Sequence, residues 1–285
     1  MDNPFSSGKP RYLRNEEDNA RDIALNERCN KLIFEIKEIR DFFESYSSHD
    51  RPTVFYDMNK TMLLNYGRDR ILFSIEQTLG SLQSVCSLGN FSDAHILIRK
   101  IRDDLFFYLF TTVTCIEGES VKVNEIELWM SNALSNLHFS NVLKRIGKSP
   151  SLLNSIKQYG LHETFNRIGT ELNNFTHGNG IDFYNMPYSH YQYSGIDRLQ
   201  NICEFLGRTL NYIVVTFLFL ETLCNPLSIC SSDYIDHLDM GMTPPDNSQY
   251  WVAPYITDFF ERKKALLDDN CIKYLRDNMV YDMQL

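Results

Sequence analysis

Two stretches of the sequence hold side chains that could do chemistry. The first runs from Ser92 to Leu105 and carries Arg99, Arg102 and Asp103. On a helix, Arg99 and Asp103 share a face because they are four residues apart, and Arg102 lies one position round from Asp103. The second stretch ends in His177, whose imidazole can give or take a proton near neutral pH. We therefore predict a polar site built from these four residues.

Each stretch also has a purely structural interpretation. An Arg–Asp pair on a solvated helix is common and contributes only about 0.2–0.5 kcal/mol. A histidine at a helix end can interact with the last carbonyls and with the negative end of the helix dipole. The functional interpretation of the first stretch gains weight because the apolar run Leu105–Phe110 follows it. Charges on a buried helix must be paired or must line a pocket.

Two asparagines flank the histidine and are the predicted ligand-binding residues. Asn174 precedes His177 by three residues, and Asn179 follows it by two. The amide of Asn179 could orient the imidazole ring or bind a ligand oxygen.

Metal and cofactor chemistry have little support in the sequence. His237 stands near Asp236 and Asp239 in a predicted loop, without a second ligand group at matching spacing. The seven cysteines are scattered, and no two form the CxxC pair that is typical of structural zinc. The chain also lacks the GxSxG, P-loop, HExxH and GxGxxG motifs. We therefore predict neither a metal nor a cofactor.

Composition indicates a cytoplasmic protein with a packed core. Of the 285 residues, 43% are hydrophobic, and the net charge is −9. That charge does not suit a protein that coats nucleic acid, although a local basic pocket remains compatible with it. The N-terminus lacks the basic and apolar regions of a signal peptide. Arg208, Asn211 and Glu221 interrupt the apolar run 206–223, so we expect a central buried helix and no membrane span.

The spacing of apolar residues predicts an all-α fold, an antiparallel helical bundle with a C-terminal helical extension. We expect a flexible lead-in over 1–15, the bundle over 16–230, and a loop with helices packed on the bundle over 231–285. Ser92 or Asp93 should cap the third helix, and Gly89 should end the second, making the two antiparallel neighbours. Strand candidates are limited to 51–57 and 119–123. The predicted helices cover 16–46, 61–88, 92–114, 124–146 with a bend, 151–159, 161–177, 195–224, 254–267 and 269–279.

Two short motifs resemble the HEPN-like superfamily of bacterial helical proteins. They are Leu-Gly-Asn-Phe-Ser-Asp-Ala at 88–94, followed by Leu97-Ile98-Arg99, and Phe-Thr-His-Gly at 175–178. The resemblance implies an antiparallel bundle that is commonly dimeric. Many members are metal-independent endoribonucleases of toxin–antitoxin or phage-defence systems, in which Arg and His from paired subunits meet at one cleft. Other members serve as binding or regulatory modules.

The resemblance also implies roles for the candidate residues. His177 would act as general base or acid on RNA, Arg99 and Arg102 would stabilise charge on the phosphate, and Asp103 would orient one of them. The implied partners are RNA, a second copy of the chain in a homodimer, and an antitoxin or defence component. The family's usual signature has an arginine four to six residues before its histidine, whereas 170–172 are Thr, Glu and Leu here. The alternative is therefore a non-catalytic interaction protein, or a nucleotide sensor, that uses the same polar cleft.

Overall fold

The prediction of an all-α fold is confirmed. A computed structural model describes residues 16–49, 58–117, 138–177, 196–243 and 252–263, with isolated positions at 126, 128, 266, 273, 274 and 277. Of these residues, 88% are helical and none belongs to a strand. The pairing nearest to a sheet among them is an isolated antiparallel bridge between Cys230 and Val252.

The described chain forms α-helices of very different lengths and includes the short 3-10 helix Pro226–Ile229. The α-helices are α1 (Glu16–Ser48), α2 (Met58–Ser87), α3 (Phe91–Glu117), α4 (Phe139–Ile146), α5 (Leu153–Gln158), α6 (Leu161–His177), α7 (Ile196–Cys224), α8 (Ser232–Asp239) and α9 (Pro254–Lys263).

Two predicted elements differ from the structure. The predicted helix 124–146 is interrupted, because α4 is a separate helix that starts after His138, whose φ of −64° and ψ of 141° are extended. Its predicted end at Ile146 is confirmed. The predicted connection 231–253 contains α8, whose first turn is capped where the amide of Tyr234 donates to Ser231 Oγ at 3.3 Å. The strand candidates 51–57 and 119–123 lie outside the described residues.

The turn between α2 and α3 has the predicted glycine at its centre. Gly89 has φ of +73°, a left-handed conformation that costs glycine little. The Asn90 amide donates to the Val85 carbonyl at 2.9 Å, and the Gly89 amide donates to the Cys86 carbonyl at 3.0 Å. These two bonds form a Schellman motif, which satisfies carbonyls at the end of α2.

The cap of α3 is Asn90, and the prediction of Ser92 or Asp93 is wrong by two or three residues. The Asp93 amide donates to Asn90 Oδ1 at 3.3 Å, which is the bond an N-cap side chain makes to the third helical residue. Three of the four residues at 90–93 are polar, and only the backbone conformation determines which of them caps the helix. Farther along the hairpin, Ser74 Oγ donates to Asp104 Oδ2 at 3.0 Å, as expected of antiparallel neighbours.

Substitutions at two glycines of α2 and its turn should change stability in opposite directions. Gly89→Ala should lower the free energy of unfolding by about 1–2 kcal/mol, because a β-carbon crowds the next carbonyl in the left-handed conformation. Gly80 lies inside α2, where an added β-carbon would meet no described atom within 4 Å. Gly80→Ala should therefore raise the free energy of unfolding by about 0.5–1 kcal/mol. Urea unfolding measures both, and a loss at Gly80 or none at Gly89 would contradict the prediction.

The chain divides into two compact units, each drawn from three stretches. The first comprises described residues within Met1–Asp41, Ile75–Arg102 and Glu163–Ile213. The second comprises those within Phe42–Ser74, Asp103–His162 and Val214–Leu285. The long helices α1, α2, α3 and α7 each contribute residues to both units.

The core of the second unit is a cluster of aromatic rings. Phe217 of α7 is completely buried and lies 5.7 Å from Tyr108, 6.3 Å from Tyr46 and 6.4 Å from Phe43, measured between ring centroids. Phe259 of α9 lies 4.2 Å from Phe42, so α9 packs on the second half of α1. Helix α9 and the last two turns of α1 therefore share one core.

Helix α7 was expected to be central because of its apolar run. Over Gln200–Cys224 it is long and apolar enough to cross a membrane by length and composition alone. In the structure, 78% of its most apolar window is buried inside the protein. The buried core helix of a globular protein can have the same length and composition. Asn211, Thr216 and Glu221 are buried along α7.

Candidate functional site

Helices α3 and α6 pack against each other in the first unit and bring the two predicted stretches side by side. The rings of His95 and Phe175 stack with centroids 3.6 Å apart and planes 18° apart. One and a half to two turns away, the Arg102 guanidinium lies against Gly169. As the residue number rises on α3, it falls on α6, so the two helices are antiparallel.

Arg102 is a buried part of this packing. Its side chain is 3% exposed, and a β-carbon built on Gly169 would come within 3.1 Å of Arg102 Nη1. Because Gly169 has no side chain, there is room for the Arg102 guanidinium to lie against α6. A guanidinium this deeply buried must be hydrogen-bonded to remain charged.

His177 lies at a different level of the same helix pair. It is the last residue of α6, eight residues beyond Gly169, which corresponds to about 12 Å along a helix axis. Its side chain is exposed to solvent. Within one chain, the structure therefore does not bring the imidazole of His177 to the guanidinium of Arg102.

The other predicted site residues that the structure describes lie on the same two helices. Arg99 and Asp103 are half-buried on α3, one turn apart, and Asn174 is half-buried on α6. Each of the three has a polar, ionic or ring partner in the structure. Asn179 lies outside the described residues. Of these residues, the structure places Arg102 beside Gly169 in the middle of α6 and His177 at the exposed end of the same helix.

His95 is a buried histidine that the sequence interpretation missed. It is 1% exposed, and its ring stacks on Phe175 and lies 5.8 Å from the ring of Phe205 on α7. Nδ1 donates to the Phe91 carbonyl at 2.6 Å. Burial lowers the pKa of His95 to about 4, although the bond to Phe91 favours the charged form and opposes the shift. The imidazole is therefore neutral at physiological pH.

A sequence signal for His95 does exist. The residues 95, 98, 102 and 105 alternate by three and four, which is the spacing of one helical stripe. Because Ile98 and Leu105 are apolar, the stripe faces the core, and His95 and Arg102 lie on it. The cluster of charged residues on α3 indicated Arg102 as a candidate, whereas His95, seven residues earlier, stands outside that cluster.

A surface pocket of about 180 Å³ lies between α1 and α7 in the first unit. Its lining combines opposite charges with a thiol and a glycine. Arg28 and Glu204 form an ion pair across it at 2.8 Å, with both side chains nearly half exposed. Asn211 Nδ2 donates to Glu35 Oε2 at 3.1 Å and holds that carboxylate at the end of the pocket. The lining residues are Arg28, Lys31, Leu32, Glu35, Cys203, Glu204, Gly207 and Arg208.

Metal ligands do not gather anywhere in the described part of the chain, where no group of three or more His, Cys, Asp or Glu side chains could hold an ion. His237, weighed above with Asp236 and Asp239, lies on α8, where its Nδ1 donates to the Asp233 carbonyl at 2.6 Å. The prediction that His237 lies in a loop is therefore wrong. Its side chain instead bonds to the backbone of the preceding turn of the same helix.

No protein-family model, no curated protein and no solved structure matches the chain significantly.

Proposed function

We propose that this chain is a HEPN-like helical protein of a bacterial phage-defence or toxin–antitoxin type system, and that it acts by binding a partner without cleaving RNA. Partners of the antitoxin or defence-component type fit this role. The resemblance of residues 88–99 and 175–178 supports the family part of the proposal. The separation of His177 from Arg102 supports the non-catalytic part.

One observation carries the non-catalytic role. Arg102 is 3% exposed and its guanidinium lies against Gly169 of α6, so a phosphate of RNA could reach it only if the helices parted. A charge-stabilising catalytic group must touch the reacting phosphate. Arg102 instead occupies the helix interface, where it can fix the relative position of α3 and α6. His177, being exposed, does not belong to a buried network of this kind.

A second candidate function follows from the exposure of His177. In a homodimer, an exposed histidine at the end of α6 could meet a half-buried arginine such as Arg99 of a second copy. That arrangement would form a metal-independent endoribonuclease site from two chains. It requires dimerisation, whereas the preferred proposal does not.

An RNA cleavage assay separates the two functions. The purified protein, incubated with mixed RNA in EDTA between pH 5 and 9, should leave the RNA intact. His177→Ala should behave identically, and so should the control His237→Ala, which removes a histidine from α8. Cleavage by the wild type that is lost with His177→Ala and retained with His237→Ala would contradict the proposal. The molar mass in solution, measured by light scattering on the same samples, would then show whether the active species is a dimer.

A further inference from the structure

The first unit contains two thiols that face each other between distant parts of the chain. Cys29 of α1 and Cys203 of α7 are 1% and 2% exposed, and their Sγ atoms are 3.4 Å apart. At this separation a thiol of one can donate to the sulfur of the other. A disulfide would need the sulfurs to approach to about 2.05 Å, a movement that small side-chain rotations and a slight shift of the helices could supply.

The packing of α1 on α7 keeps the two thiols in register. Arg28 and Glu204 form their ion pair next to the thiols, and Glu35 accepts a hydrogen bond from Asn211 about two turns farther along. Residue numbers rise together on both helices, so α1 and α7 are parallel here. These two contacts hold the two cysteines at the same level along the helix pair.

Solvent reaches this pair from one side. Cys203 lines the 180 Å³ pocket between α1 and α7, whereas Cys29 does not. The hydrogen bond with Cys203, together with burial, raises the pKa of the Cys29 thiol, so Cys29 stays protonated. A small oxidant that enters the pocket therefore meets Cys203 first.

We propose that Cys29 and Cys203 are an oxidisable dithiol, which peroxide converts to a disulfide that links α1 to α7. The Cys203 sulfur attacks one oxygen of hydrogen peroxide, so an S–O bond forms and the O–O bond breaks, and the leaving hydroxide takes the Cys203 thiol proton and departs as water. The Cys29 sulfur then attacks the sulfenic sulfur of Cys203 and displaces the second oxygen, which leaves as water with the remaining thiol proton. Two thiols and one peroxide thus give one disulfide and two waters.

Cys86 of α2 is the competing thiol, and it sharpens the test. It is buried in the same unit and close enough for its charge to act on Cys29 and Cys203. It could capture the sulfenic acid in place of Cys29. The proposal requires that the linked pair be Cys29 and Cys203, because only their sulfur atoms are in direct contact among the described residues.

The experiment treats the folded full-length protein with hydrogen peroxide, blocks the remaining thiols in denaturant, and maps the linked peptides by mass spectrometry. We expect two of the seven thiols to disappear, a linked Cys29–Cys203 peptide, and full recovery after reduction. The oxidised protein should also unfold several degrees higher than the reduced protein, because the link closes a long loop. A Cys86–Cys203 peptide, or seven thiols that stay free, would overturn the proposal.

Variants keep the test independent of folding defects. Cys29→Ala and Cys29→Ser should both abolish the link and the shift in melting temperature. The matched control is Cys230→Ala, which removes a buried thiol from the second unit and should leave both unchanged. Circular dichroism of each reduced variant establishes that it is folded. Loss of the link in Cys230→Ala as well would show that the reaction is not specific to the pair between α1 and α7.

Discussion

Phe217→Ala should lower the free energy of unfolding by about 3–5 kcal/mol, the usual cost of truncating a buried phenylalanine. The ring of Phe217 is completely buried on α7 and touches rings from α1 and α3. Removing it leaves a cavity whose aromatic walls lose their contacts, and large rings relax poorly into such a space. Denaturant unfolding followed by circular dichroism measures the change.

The control is Phe73→Ala, in α2 of the same unit. The Phe73 ring is 62% exposed, so its removal should change the free energy of unfolding by no more than about 0.5 kcal/mol. Equal losses for the two variants would contradict the assignment of Phe217 to the core. A small loss at Phe217 would show that α7 does not carry the central contacts of the second unit.

Acid should destabilise the protein through His95. Its folded-state pKa of about 4 lies below the ordinary value of 6.5, so the unfolded chain takes up the proton more readily than the folded protein. The stability from neutral His95 is complete above pH 6.5 and is lost as the pH falls from 6.5 to 4. The loss should be about 2 kcal/mol at pH 5 and about 3 kcal/mol at pH 4.

His95→Phe isolates this contribution from that of the acidic residues. A phenyl ring can keep the stacking on Phe175 but cannot titrate, so the variant should lose about 3 kcal/mol less than the wild type between pH 7.5 and 4. The control is His237→Phe, because His237 makes the same bond to the carbonyl four residues earlier but is only half-buried. Its stability should follow the wild-type pH dependence. Parallel curves for the wild type and His95→Phe would contradict the prediction.

The sequence was sufficient to predict most of the long helices, because their signals are local. The ends of α6 and α7 agree with prediction within one residue, since apolar spacing and flanking glycine or proline mark them. The break before α4 was missed because it depends on the extended backbone of His138, which no apolar pattern indicates. Helix α8 was missed because it is only eight residues long and lies within a connection rich in proline and glycine.

The candidate site was less predictable, because its members come from helices that are distant in sequence. Periodicity places Arg102 and His95 on a core-facing stripe of α3, but it does not indicate that Arg102 meets Gly169 or that His95 meets Phe175. Those contacts depend on how α6 packs on α3. The same limit applies to Cys29 and Cys203, which no spacing rule connects, and to His177, whose level along α6 determines what it can reach.

The parallel pairing of α1 with α7 has a consequence for synthesis on the ribosome. Cys29 and Cys203 are separated by 174 residues, and the intervening chain must emerge before their helices can meet. At translation rates of about 5–20 residues per second, that delay is roughly 10–35 s. Throughout it, the apolar stripe of α1 that includes Leu32 and Ile36 lacks its final neighbour. The α2–α3 hairpin, whose contacts are local, can form long before, so the nascent chain should present α1 to chaperones during this interval.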